Sequence, residues 1–126
     1  MTLPRRVLPL LPALAILPAR AEAHALVTGS EPASGARIPG GDVMAVVRFN
    51  SRIDHSRSQL LLAPVRDGGG GTADETRLEL TPSPDTELRA RLPALPPGRW
   101  RIRWQVLALD GHITRGDIPF AVTGGR

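Results

Sequence analysis

The chain has 126 residues, 16 Lys and Arg against 12 Asp and Glu, 3% aromatic content and no cysteine. That length supports one domain, and the missing cysteine excludes both a disulfide framework and a thiolate metal site. The basic residues are all arginine and dispersed, and two Trp and two Phe are the only aromatics, so a nucleic-acid stripe or stacking platform is excluded as well.

The first element is an export signal. Arg5 and Arg6 form its positive start, Val7 to Ala19 its short apolar stretch, and Ala21 and Ala23 the small positions of an A-x-A cleavage site. Pro9, Pro12 and Pro18 interrupt the apolar stretch, which is too short for a membrane-spanning helix. An Arg-Arg pair by itself does not specify twin-arginine export, and general secretion is the expectation. Cleavage after Ala23 would give a signal peptide, residues 1–23, and a mature domain, residues 24–126, expected to work outside the cytoplasm. Arg5, Arg6, Arg20 and Glu22 leave with the signal, and the mature net charge falls from +4 to +2.

Cleavage there makes His24 the first residue. An N-terminal histidine presents a primary amine and an imidazole nitrogen that can close a chelate ring on one metal ion. The amine has a reference pKa of about 7.7–8.0, so a metal displaces its proton readily near neutrality.

Short strands separated by Gly and Pro follow. Val43, Ala45, Val47 and Phe49 alternate with Met44, Val46 and Arg48, and Gln59 to Ala63 is a second apolar run. Residues 66–75, with four consecutive glycines, read as a flexible loop. Arg77 to Leu80 and Glu87 to Leu92 are two more predicted strands. The strongest is Arg99 to Val106, with Trp100, Ile102, Trp104 and Val106 toward the core and Arg99, Arg101, Arg103 and Gln105 toward water. Both tryptophans are expected in the core. Leu107 and Leu109 interrupt the pattern, which calls for a bulge or a change of buried face. The last strand, Ile118 to Val122, contains Pro119 and so reads as an edge or a bulge. No mature segment sustains a 3.6-residue period. The prediction is all-β: a Greek-key sandwich or barrel of about seven strands.

Three histidines remain in the mature chain: His24, His55 and His112. Asp110-Gly111-His112 follows the strongest strand, and in extended backbone Asp110 and His112 would lie on one side, with Gly111 permitting close approach. Alone, D-G-H is a common turn sequence. Joined to His24 it offers three nitrogens and a carboxylate oxygen, which suits tetragonal Cu(II), with zinc and nickel as competitors. Met44 is the single mature methionine, too few for a soft Cu(I) site.

The segments "HALVTGSEPASGARIP", "VRFNSRID" and "PPGRWRIRWQVLALDGHITRGDIPFAV" together resemble the CopC family of exported copper-binding proteins. Pro32 and Gly35 match its early Pro-x-x-Gly turn; Gly116, Phe120 and Val122 match its last strand. The resemblance implies a seven-stranded Greek-key barrel or an Ig-like or cupredoxin-like sandwich. It also implies one Cu(II) per chain, with His24 (amine and ring), Asp110 and His112 as ligands, and a CopD-like membrane protein as partner. There are two departures. Ser51 stands where some members carry a glutamate near the copper, leaving Asp54 as the candidate acid. Pro64 to Glu75 holds no methionine, so no Met-rich Cu(I) site is expected. His55 matches no family ligand and reads as a surface residue.

Three functions follow from these residues: a Cu(II)-binding protein that sequesters or delivers copper, an oxidative enzyme using an N-terminal histidine brace, and a metal-free interaction module. The first is the expectation, without catalysis. Four aromatics are few for a substrate face, no Ser/His/Asp arrangement or carboxylate pair stands out, and the third reading leaves His24 and D-G-H unexplained.

Overall fold

The computed structural model describes residues 25–66 and 74–124, and all of its regular structure is β-strand. The order is β1 (Val27–Glu31), β2 (Ala36–Ile38), β3 (Val43–Phe49), β4 (Ile53–Pro64), β5 (Thr76–Arg77), β6 (Leu80–Thr81), β7 (Glu87–Leu92), β8 (Gly98–Ala108) and β9 (Ile113–Val122). They form two sheets, β1-β3-β7-β6 and β2-β9-β8-β4-β5, antiparallel except where β2 runs parallel to β9.

The alternation on β3, β7, β8 and β9 settles which faces meet. Ala45, Val47 and Phe49, Leu88, Ala90 and Leu92, Ile102, Trp104 and Val106, and Ile118, Phe120 and Val122 are all buried. Burying each larger side chain contributes about 1.5–3 kcal/mol. Trp104 lies opposite Gly116 across the β8–β9 pair and edge-on to Phe49, at 5.3 Å between ring centroids. A Cβ at residue 116 would stand 2.5 Å from the indole, so the missing side chain is what admits Trp104.

Several expectations are corrected. The Arg77–Leu80 strand is two short pieces serving different sheets. Thr76 and Arg77 pair with β4, Leu80 and Thr81 pair with β7, and buried Leu78 sits at the crossing. Strand β8 carries no bulge or change of face: its pairing with β9 is unbroken from Gly98↔Val122 to Leu107↔Ile113. Ala108 continues the inward series, and Leu109 is exposed. The irregularity lies across the sheet in β4, whose register slips between Asp54 and Gln59. Buried Ser58 closes that slip, its Oγ donating to the Asp54 carbonyl at 2.7 Å and accepting from the Leu107 N–H at 3.1 Å.

Pro119 is tolerated because its carbonyl already points toward β2, accepting from the Gly35 N–H at 2.6 Å. The absent N–H faces the same side, one residue before β2 pairing begins at Ala36↔Phe120. Trp104 is a core residue; Trp100 is half-buried, its Nε1 donating to the Pro96 carbonyl. The arginines of β8 are not simply solvated. Arg103 binds Glu75 through two contacts of 2.6 and 2.8 Å, Arg101 stands 3.6 Å from the same carboxylate, and the Glu75 side chain is 6% exposed. The loop predicted over residues 66–75 therefore ends in an anchored acid; its residues 67–73 lie outside the described residues.

Candidate metal centre

One end of the sandwich gathers the start of β1, the β3–β4 connection and the β8–β9 turn, through the pairs Val27↔Phe49, Ile53↔Ala108 and Leu107↔Ile113. Asp110 and His112 sit in that turn. It is closed by the Gly111 N–H donating to the Ala108 carbonyl at 2.9 Å, and by the Ala108 N–H donating to the His112 carbonyl at 2.8 Å. Gly111 has φ +93°, a left-handed conformation that costs side-chain-bearing residues about 1–2 kcal/mol.

Asp110 and His112 are thus brought together by a tight turn, not by the extended strand alternation expected from the sequence. Oδ1 of Asp110 accepts the His112 backbone N–H at 2.9 Å, which sets the carboxylate against the ring. Oδ2 then stands 2.9 Å from His112 Nδ1. Two donor atoms each about 2.0–2.1 Å from one metal, in adjacent positions at a right angle, are separated by about 2.9 Å. The same distance suits a hydrogen bond from Nδ1 to the carboxylate that leaves Nε2 to face a metal. In the first arrangement both side chains could donate to one ion; in the second only His112 could, with Asp110 orienting its ring. The His112 side chain is 63% exposed and that of Asp110 27%, so an ion can reach them.

Among the described residues no three His, Asp, Glu or Cys side chains converge on a metal-sized space. His24 and the A-x-A cleavage segment lie outside the described residues. The residue that follows His24 is held firmly. Ala25 is fully buried, and its carbonyl accepts a 2.9 Å hydrogen bond from Thr114 Oγ1. Leu26 is paired with Asn50, its N–H donating to Oδ1 at 2.8 Å and its carbonyl accepting the Asn50 N–H at 2.9 Å. Sequence reasoning passed over both Thr114 and Asn50. Thr114 shares the strand parity of His112, the one signal that could have found it.

The other candidates are engaged elsewhere. Asp54 Oδ1 accepts from the backbone N–H and hydroxyl of Ser56, at 3.0 and 2.7 Å. The Ser56 hydroxyl, with help from Arg57, holds this carboxyl below its ordinary pKa. Ser51 keeps its hydroxyl buried with no hydrogen-bond partner among the described residues. His55, expected on the surface, is half-buried: Nε2 lies 2.7 Å from the Glu87 carbonyl and 3.4 Å from Ser83 Oγ. Met44, 37% exposed, pairs with Arg91 near the start of β3, away from the turn.

Comparison with known proteins bears on the same fold. The chain is 25% identical over 110 residues to the copper transport protein CutJ of Bacillus subtilis (strain 168), matching 86% of this chain and 20% of that one. It thus spans about a fifth of that relative's length. Among solved structures, the CopC crystal structure from Methylosinus trichosporium OB3b matches with a TM-score of 0.67 at 18% identity, over 82% of this chain and 97% of that chain. PcoC, a copper resistance protein from Escherichia coli, matches at 0.61 and 16% identity, over 78% of this chain and 99% of that one. These likenesses establish a shared fold. The CopC domain family model covers residues 27–123, from the first strand to just past the last, and on that match the chain belongs to the CopC family.

Proposed function

We propose that the exported protein begins at His24 and holds one Cu(II) in the periplasm through the His24 amine and imidazole, Asp110 and His112. The ion is cargo, sequestered or handed to a CopD-like membrane partner. The observation that carries this reading is the Asp110–His112 pair, set 2.9 Å apart on a closed turn, with Thr114 of the strand that follows the turn gripping Ala25. Ala25, the residue that follows His24 in the chain, is thereby fixed to a residue two positions after His112.

The donor chemistry fits the ion. Two imidazoles, an amine and a carboxylate suit Cu(II), whereas of the soft ligands favoured by Cu(I) the mature chain has no thiolate and the single thioether of Met44. The printed descriptions of CutJ as a copper transport protein and of PcoC as a copper resistance protein favour the same cargo.

An oxidative role is disfavoured by where the aromatics lie. Phe49, Trp104 and Phe120 are buried, and half-buried Trp100 lies about 27 Å along β8 from Ala108. No aromatic platform flanks Asp110 and His112 to receive a sugar chain.

The test is N-terminal mass analysis of the exported protein followed by Cu(II) titration of that material. We expect a product starting at His24 that takes up one Cu(II). Affinity should fall sharply in His24→Ala, in His112→Ala and after acetylation of the amine, and also as pH drops and protons compete for the nitrogens. A product starting elsewhere, or undiminished affinity with the amine blocked, overturns the proposal.

A further inference from the structure

The contacts that fix Ala25 and Leu26 come from residues with no place among the proposed ligands. We infer that Thr114 and Asn50 form a clasp that preorganises the mature N-terminus for metal binding, acting as positioning residues without touching the ion. The inference rests on the Cu(II) reading above.

The physical case begins with entropy. A chain end is ordinarily the least ordered part of a domain, and immobilising one residue's backbone costs about 1–2 kcal/mol. An amine and imidazole on a free end would meet that cost at the moment of binding. Here the two residues after His24 are already immobilised. Thr114 Oγ1 donates to the Ala25 carbonyl at 2.9 Å, and Asn50 makes a reciprocal pair with Leu26 at 2.8 and 2.9 Å. Ala25 is fully buried, so its methyl group seats the segment in the core.

The two arms come from different sheets. Asn50 follows the end of β3, in the sheet of β1, whereas Thr114 is the second residue of β9 in the other sheet, two residues after His112. Thr114 therefore couples the N-terminal segment to the very strand that leaves the Asp110–His112 turn. A clasp between β1 and β3 alone would hold the end without aligning it to the other half of the site. The Asn50 N–H bond to the Leu26 carbonyl extends the β1–β3 ladder by one rung beyond Val27↔Phe49, whereas the contacts made by Asn50 Oδ1 and Thr114 Oγ1 are side-chain bonds that no ladder requires. Holding ligands in place before the ion arrives is how a supporting shell raises metal affinity.

The experiment uses mature protein exported through its own signal, with Thr114→Val, Thr114→Ser, Asn50→Ala and Asn50→Asp variants. Measurements are competitive Cu(II) titration, the rate of Cu(II) loss to a chelator, and the thermal midpoint without metal. Removing one such hydrogen bond should weaken Cu(II) binding about five- to tenfold and speed its loss, while the metal-free thermal midpoint stays near the parent's. Thr114→Ser and Asn50→Asp retain the hydrogen-bonding oxygens and should recover most of the affinity. Should Thr114→Val fail to fold, Asn50→Ala decides the question from the other arm. Parent-like affinity in Thr114→Val or Asn50→Ala, or a loss that the conservative variants do not rescue, overturns the clasp. Failure of the parent to bind Cu(II) overturns the underlying reading instead.

Discussion

Gly116 shows how narrow the tolerances are at single residues. Its neighbour across the pair is a tryptophan whose indole atoms would stand 2.5 to 2.9 Å from an added methyl, and that indole is wedged against Phe49. We expect Gly116→Ala to destabilise the protein by about 1–3 kcal/mol through overpacking, read by urea denaturation followed at Trp fluorescence. Gly111 is sensitive for a different reason. Nothing lies within 4 Å of an added Cβ there, but φ is +93°. Gly111→Ala should therefore cost about 1–2 kcal/mol in backbone strain and weaken Cu(II) binding, because the turn that aligns Asp110 with His112 must give. Unchanged stability in that variant would show that the turn can be made another way. Ser58 is a third such residue, buried at 1% exposure and serving as both donor and acceptor. Ser58→Ala leaves the Leu107 N–H and the Asp54 carbonyl without that partner, for about 1–3 kcal/mol in the same denaturation assay.

Among the elements, the outer face of β8 is the one most altered by its surroundings. The alternation of arginine with apolar residues correctly divides the strand into two faces, yet the charged face is roofed by Glu75 from the neighbouring β5 side. The Arg103 guanidinium, with Arg101 beside it, holds the Glu75 carboxyl below its ordinary value of 4.5, and the Arg103 pKa is raised in return. A carboxyl whose folded pKa is depressed adds stability above its unfolded value and loses it as pH falls through the folded value. The parent should therefore lose stability on acidification below about pH 4.5. Glu75→Gln should start lower at neutral pH and show a shallower acid decline, measured as thermal midpoint against pH. Equal slopes would mean the pair adds nothing. The same reach across elements explains the divided Arg77–Leu80 segment. Its apolar residues read as one strand, but Leu78 donates its N–H to the Leu60 carbonyl while Leu80 pairs with Ala90, so the chain changes sheets within four residues.

For the molecule as a whole, the sandwich works as a frame that brings three distant stretches to one end: residues 25–26, Asn50 to Ile53, and Leu107 to Thr114. A ligand that binds only the folded protein stabilises it by about 2.7 kcal/mol at a hundredfold excess over Kd. Cu(II) should raise the unfolding midpoint of the mature protein accordingly, and raise it far less when the amine is acetylated. Equal shifts in the two forms would place the ion somewhere other than the N-terminal end.

Local chemistry carried much of this into the sequence. Period-two alternation located β3, β7, β8 and β9 because one face of each had to be apolar. The A-x-A segment before His24 and the D-G-H turn were visible because small residues before a cleavage point and a glycine turn between two polar side chains are local patterns, legible regardless of fold. What sequence reading missed depends on partners far away in the chain. The slip in β4 exists to fit β8, the burial of Glu75 depends on Arg103, and His55 is drawn in by Glu87 and Ser83. The grip of Thr114 on Ala25 spans 89 residues, and its hydroxyl has no local pattern to announce it. A side chain's type and spacing settle what it can bind and which face it occupies; only the packing of two sheets settles which distant backbone it will meet.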